Sequence, residues 1–221
     1  MSAYATARQK MVDGQVRTND VTDHRVIDAM LTVPREEFVP VERQGMAYLD
    51  LDLDVAAAGA ARRFLLKPML TAKLLQAAEI KPADEVLVVG CATGYAAALA
   101  SKLAAKVTAT ESDPAIQGRA KELAAKLPLA NVTVKMAGSA LGDPADGRFD
   151  VILLNGATEV PLDGLCRQLK EGGRLVGVFA TTKPARALII THSHDDFGSR
   201  ILFDATAPVL PGLEQVAEFI F

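Results

Sequence analysis

The sequence predicts one α/β domain: a mostly parallel, doubly wound sheet closed by an antiparallel hairpin and preceded by a helical extension. Three observations carry this. From Pro82 onward, short apolar runs alternate with helical segments, which is the spacing of β-α-β units. The first of these runs enters a small-residue loop, Gly90 to Gly94, that opens a helix. The last two runs, 187–192 and 200–205, leave no room for a helix between them, so they pair as a hairpin.

A chain of 221 residues suits one domain with a sizeable core. The formal net charge is −3, and without a basic excess nucleic acid is a poor partner. The two cysteines, Cys91 and Cys166, form no CxxC pair. That points to a reduced, cytoplasmic setting. Residues 1–19 mix Lys, Arg, Asp and Gln and lack the apolar stretch of a signal peptide. No run approaches the ~18 apolar residues of a membrane span.

The texture changes near residue 80. Residues 1–80 read as a helical extension that frames a substrate cleft, and 81–221 as the cofactor-binding core. Residues 3–16 form one helix. Asp23 caps a second over 24–32, which carries Val26, Ile27, Met30 and Leu31 on one face and stops at Pro34. Ala56 to Ala61 holds Gly59 and reads as a loop. Pro68 sits in the first turn of a helix over 69–78.

In the core, the strands are 85–89, 106–110, 132–136, 149–154 and 174–180. The helices run from the glycine loop to about Ala104, over 115–127, and over 162–169, with Gly172-Gly173 ending the last. Ser193 to Ser199 is a turn-rich link within the hairpin. A parallel sheet closed by an antiparallel hairpin is, by analogy, the Rossmann-like class I methyltransferase arrangement rather than that of dinucleotide dehydrogenases.

The chemistry centres on Val86-Leu87-Val88-Val89-Gly90-Cys91-Ala92-Thr93-Gly94-Tyr95. Gly90 and Gly94 let backbone come close to a ligand, and the helix N-terminus faces the strand ends. The second strand ends at Glu111, about 20 residues on, where an acid accepts hydrogen bonds from ribose hydroxyls. The competing reading is close helix–strand packing with a solvated acid, which leaves unexplained why an acid ends an apolar strand. The loop is G-x-A-x-G rather than G-x-G-x-x-G, which favours S-adenosylmethionine over NAD. The expected cofactor contacts are Gly90, Cys91, Ala92, Thr93, Gly94 and Glu111.

Several segments resemble the protein-L-isoaspartate O-methyltransferase family. They are Val33-Pro34-Arg35-Glu36-Glu37-Phe38-Val39-Pro40, Ala47-Tyr48-Leu49-Asp50, the loop with Gly94-Tyr95, Phe149-Asp150-Val151-Ile152, and Gln168 through Val176. The resemblance implies methyl transfer from S-adenosylmethionine to the free carboxylate of L-isoaspartyl or D-aspartyl residues in damaged proteins. A carboxylate of pKa ~4 is already ionised at neutral pH, so the site must desolvate and align it rather than deprotonate it.

The chain departs from the family pattern where ligands bind. Leu66, in Phe64-Leu65-Leu66-Lys67-Pro68, stands in place of the family's motif serine, which leaves the catalytic residue unassigned. Arg62 and Arg63 replace glycines, Val88 replaces an acid, and Ser139 stands where an acid lies near adenine. Ser139 joins the expected cofactor contacts as an uncharged hydrogen-bonding group. Besides the isoaspartyl enzyme, two readings follow from these departures: a relative with another acceptor, or a cofactor-binding or scaffold protein without catalysis.

Other residues have rival readings. Arg62 and Arg63 form a carboxylate clamp or a solvated loop pair. Thr71 substitutes for the missing hydroxyl or merely sits on a helix face. Cys91 is a thiol activated by a helix N-terminus or a packing residue. Tyr48 and Asp50 lie by the substrate cleft or serve as core and cap. His192-Ser193-His194-Asp195-Asp196 is read as turn chemistry and no metal site is expected.

Overall fold

In the computed structural model, residues 3–143, 145, 147–194 and 196–215 are described. Helix α1 spans Ala3–Met11. The expected helix to residue 16 gives way to a π turn over Val12–Val16 and a 3-10 turn over Arg17–Asn19. The wider turn lets Met11, Val12 and Val16 all reach the core, and Asp20 at φ 62° turns the chain. Helix α2 spans His24–Thr32, where the Asp23 carboxylate accepts from the Arg25 N–H. Asp23→Ala removes this cap and is expected to cost about 1 kcal/mol, read as a shift in urea midpoint at constant slope.

Two short features escaped the sequence reading. Strands β1 (Leu53–Asp54) and β2 (Phe64–Leu65) pair antiparallel as a separate ribbon. The loop around Gly59, at φ 81°, connects them as an exposed excursion. Helix α3 follows at Pro68–Ala77.

The main sheet has seven strands in the order β5-β4-β3-β6-β7-β8-β9. These are β3 Glu85–Val89, β4 Lys106–Glu111, β5 Val132–Met136, β6 Phe149–Thr158, β7 Leu169–Phe179, β8 Arg186–Ser193 and β9 Asp196–Asp204. All neighbours up to β7 are parallel, and β8 and β9 add antiparallel. The interior strand β3 is buried on both faces. Val86 and Val88 join the cluster that also takes in α2 and α3, while Leu87 and Val89 join the cluster on the other face. This is the period-2 alternation of a strand covered on both sides.

Helix α4 covers Tyr95–Ser101 and ends before the expected Ala104. There the Asn131 side chain donates to the carbonyls of Ser101 and Ala104. Helix α5, Pro114–Lys126, begins at an Asp113 cap that accepts from Ala115 and Ile116.

Strand β6 runs past Leu154 because residues 208–210 bond to Ala157: its N–H donates to the Pro208 carbonyl and its carbonyl accepts from Leu210. Helix α6 is only Asp163–Cys166, so Gly172-Gly173 is not its terminator. It is a bulge inside β7, where the register to β6 shifts. A Cβ on Gly173 would stand 2.7 Å from the Lys170 carbonyl oxygen, which is why glycine is required. The hairpin is also tighter than expected, since Ser193 pairs with Asp196. The stretch Asp196–Ser199, with its aspartate, glycine and serine, looks like a turn in sequence because it lies exposed on the edge strand.

Candidate functional site

The glycine loop joins β3 to α4 at the carboxyl edge of the sheet. Gly90, Ala92 and Gly94 all have positive φ, at 66°, 50° and 98°. For Ala92 that is a strained conformation, and it turns the Ala92 N–H toward Glu111, to which it donates at 2.9 Å. Thr93 donates its hydroxyl to the Phe38 carbonyl at 2.6 Å, tying the loop to the segment after Arg35. Asn155, at the same edge on β6, donates to the Gly90 carbonyl at 2.9 Å and to that of Phe64 at 3.3 Å. Nothing in the local sequence around Asn155 marked it.

Glu111 ends β4 and is 1 % exposed. Besides Ala92, its carboxylate accepts from the N–H groups of Ser112 (2.8 Å) and Asp113 (3.1 Å). It also holds the guanidinium of Arg63, Nε to Oε1 at 2.8 Å. Arg63 is 8 % exposed. Its other nitrogens donate to the Ser112 hydroxyl and the Arg62 carbonyl, both at 3.0 Å. Arg63 is therefore neither a substrate clamp nor a solvated loop residue. Arg62 alone is exposed.

Leu210, carried by the segment bonded to Ala157, fills the space over the loop: a methyl group built on Gly90 would run into its Cδ atoms. The remaining cavity between Arg63, Phe64, Gly90, Asn155 and Leu210 measures about 10 Å3, about the room one water molecule needs and far less than an adenosyl group. The large open volume lies to one side. It is a cleft of about 600 Å3 against Thr93 and Arg119, walled by Phe38, Val41, Val55 and Ala56.

The other expected contacts divide. Cys91 is fully buried beside Glu111, and burial together with that carboxylate pushes its thiol upward. It is a packing residue, and the helix terminus does not activate it. Ser139 is buried beyond β5. Val88 lies in the core and pairs with Ala109 and Leu153 in the sheet.

Leu66 is 2 % exposed within the apolar core. Its carbonyl accepts from Arg35 Nη2 at 2.9 Å and from the Thr71 hydroxyl at 3.3 Å. Thr71 thus bonds within its own helix start and does not substitute for the motif hydroxyl. Arg35 is fully buried, donates also to the Ala47 carbonyl at 2.7 Å and lies 4.7 Å from the Tyr95 ring centroid. It ties the N-terminal signature to the motif segment, a role invisible in the sequence. Asp52 and Asp50 accept from the N–H groups of Lys67 (2.8 Å) and Met69 (3.4 Å) at the start of α3. Tyr48 donates to Glu36 and accepts from Arg8 at 3.0 Å. Cap and core roles hold for Asp50 and Tyr48.

Among the described residues, no group of three or more His, Cys, Asp or Glu is arranged to hold a metal. Asp195, part of the stretch weighed for one, lies outside them. No helix among them is long and apolar enough to cross a membrane.

Comparisons agree with this architecture. The model of the family described as protein-L-isoaspartate(D-aspartate) O-methyltransferase matches residues 6–196. A protein-L-isoaspartate O-methyltransferase of Koribacter versatilis is 37 % identical over 80 % of this chain and 78 % of its own. One from Syntrophobacter fumaroxidans is 32 % identical over 87 % and 88 %. A solved protein-L-isoaspartate O-methyltransferase shares the fold at a TM-score of 0.82 and 23 % identity, over 93 % of this chain and 66 % of that one. The fold is also shared at a TM-score of 0.77 and 17 % identity, over 95 % and 99 %, with a putative Plasmodium falciparum relative solved with S-adenosyl-L-homocysteine. With its signature segment, glycine loop and terminal hairpin all inside or beside the matched region, this chain belongs to the protein-L-isoaspartate(D-aspartate) O-methyltransferase family.

Proposed function

We propose that this chain is an S-adenosylmethionine-dependent carboxyl O-methyltransferase that acts on L-isoaspartyl and D-aspartyl residues of damaged proteins, in the cytoplasm. The observation that carries this reading is the family match over residues 6–196, which spans the glycine loop and Glu111. S-adenosylmethionine is that family's methyl donor. Gly90 through Gly94, Glu111 and Ser139 are of the residue types that hold an adenosyl group at the carboxyl edge of such a sheet.

As the side chains stand, however, they do not accommodate one. Arg63 holds the carboxylate that would meet the ribose, Leu210 covers Gly90, and about 10 Å3 remains between them. The reaction asks little acid–base work of the protein. An acceptor carboxylate is ionised at neutral pH, so the chain's contribution is to position it and exclude water. Leu66, buried in the core, supplies no hydroxyl for that task, and turnover is expected below that of a serine-containing relative by ~10²–10³, the usual effect of one lost preorganised donor.

The test is a methyl-ester assay with labelled S-adenosylmethionine and an isoaspartyl peptide, against the same peptide with normal aspartate. Ester formation confined to the isoaspartyl peptide supports the proposal. No ester above background, in protein shown to be folded by circular dichroism, overturns it.

A further inference from the structure

We propose that Arg63 occupies the ribose position of the cofactor site and sets its affinity, so that an adenosyl ligand binds only when Arg63 leaves Glu111. This inference rests on the cofactor reading above. It starts from the completeness of the Glu111 shell. Oε2 accepts from the Ala92 N–H, while Oε1 accepts from the N–H groups of Ser112 and Asp113, from Arg63, and at 3.4 Å from the Ser112 hydroxyl. Three of these donors are backbone N–H groups fixed by the loop and by the turn into α5. The Ser112 hydroxyl is local and its bond is long, whereas Arg63 comes from another part of the fold, 48 residues away in sequence, and is the one charged donor that can be exchanged. A vicinal diol bonding to this carboxylate therefore competes chiefly with the Arg63 guanidinium.

The position of Arg63 makes the exchange feasible. It is the last residue of the excursion between β1 and β2, whose members Ala57 to Arg62 are exposed. The excursion is held at its base: Val55 donates to the Arg63 carbonyl at 2.7 Å, and the Asp54 carboxylate accepts from the Ala56 and Arg63 N–H groups. Beyond it lies the cleft of about 600 Å3 that Val55 and Ala56 line. The side chain can swing out without unpacking the core. The charge-assisted bond to a buried carboxylate is stronger than a neutral one, so the closed arrangement dominates, and the apparent affinity of a ligand falls by the fraction of molecules that are open.

The measurement is calorimetric titration of the full-length wild-type chain, Arg63→Ala and Arg63→Gln with S-adenosylhomocysteine. Arg63→Ala is expected to bind at least tenfold more tightly than wild type, a change of ~1.4 kcal/mol, with Arg63→Gln tighter than wild type by less. Because Glu111 keeps three backbone donors, both variants are expected to fold, and far-ultraviolet circular dichroism checks this. Equal or weaker binding by folded Arg63→Ala, with wild type binding measurably, overturns the inference while leaving the cofactor reading intact. Absence of binding by all three folded proteins overturns both.

Discussion

Replacing Glu111 with alanine is expected to lower the stability of the chain by ~3–5 kcal/mol, the usual cost of removing one partner from a buried ion pair. At this chain length that is a fall in melting temperature of ~6–20 °C, taking ~2–4 °C per kcal/mol. The Glu111 and Arg63 side chains are 1 % and 9 % exposed, so the guanidinium either stays with only the Ser112 hydroxyl and the Arg62 carbonyl as partners or swings out to the cleft, which sets the loss toward the lower end of that range. Three N–H groups, of Ala92, Ser112 and Asp113, lose their common acceptor as well. The reverse substitution, Arg63→Ala, leaves Glu111 with all three of these donors and costs less. The double variant is expected to lie above Glu111→Ala alone, because it carries no guanidinium deprived of its carboxylate. A double-mutant cycle by urea denaturation reads this coupling. Equal small losses in both single variants, adding in the double, would falsify the assignment of a buried, mutually dependent pair.

The same pair marks where sequence reading reached and where it stopped. Local signals were sufficient for β3, β5, α2 and α5, because each carries its own evidence: an apolar run bounded by breakers, an aspartate cap such as Asp23, or a helical segment between two strands. Glu111 was legible as a strand-end acid at the right distance from the loop. Arg63 was legible only as an oddity, an arginine where the resemblance to the family implies a glycine, since its partner lies 48 residues away and no local pattern encodes that pairing. Leu210 and Asn155 are of the same kind. They close and pin the loop through contacts that exist only after β6 and the C-terminal segment are laid side by side. The bulge at Gly172-Gly173 misled because paired glycines end helices as readily as they relieve crowding between strands. The edge strand β9 misled because its polar residues face solvent, and composition alone does not separate an exposed strand from a turn.

Leu66→Ser, which restores the family's residue type at the motif, is expected not to raise methyl transfer to an isoaspartyl peptide and to cost ~2–5 kcal/mol, in the range of large-to-small core substitutions. The side chain belongs to the same apolar cluster as Leu65, Leu70 and Leu74, so a serine there trades packed methyl groups for a hydroxyl facing the core. Nothing in the surrounding backbone invites the segment to rotate. The Leu66 carbonyl is held by Arg35 and Thr71, and the next turn begins with Lys67 and Met69 bonded to Asp52 and Asp50. Arg35 is itself fixed between the Ala47 carbonyl and the Tyr95 ring. Leu66→Ala separates the two effects, because it opens the same cavity without adding a polar atom. A loss of stability in both variants, larger in Leu66→Ser by the cost of its buried hydroxyl, with methyl-ester rates at or below wild type, fits a leucine that belongs to the core. A tenfold rate gain in Leu66→Ser alone, with wild-type stability, would instead place position 66 against the acceptor. The residue would then gate the chemistry directly, and the closed cofactor cleft would no longer be the first barrier to turnover.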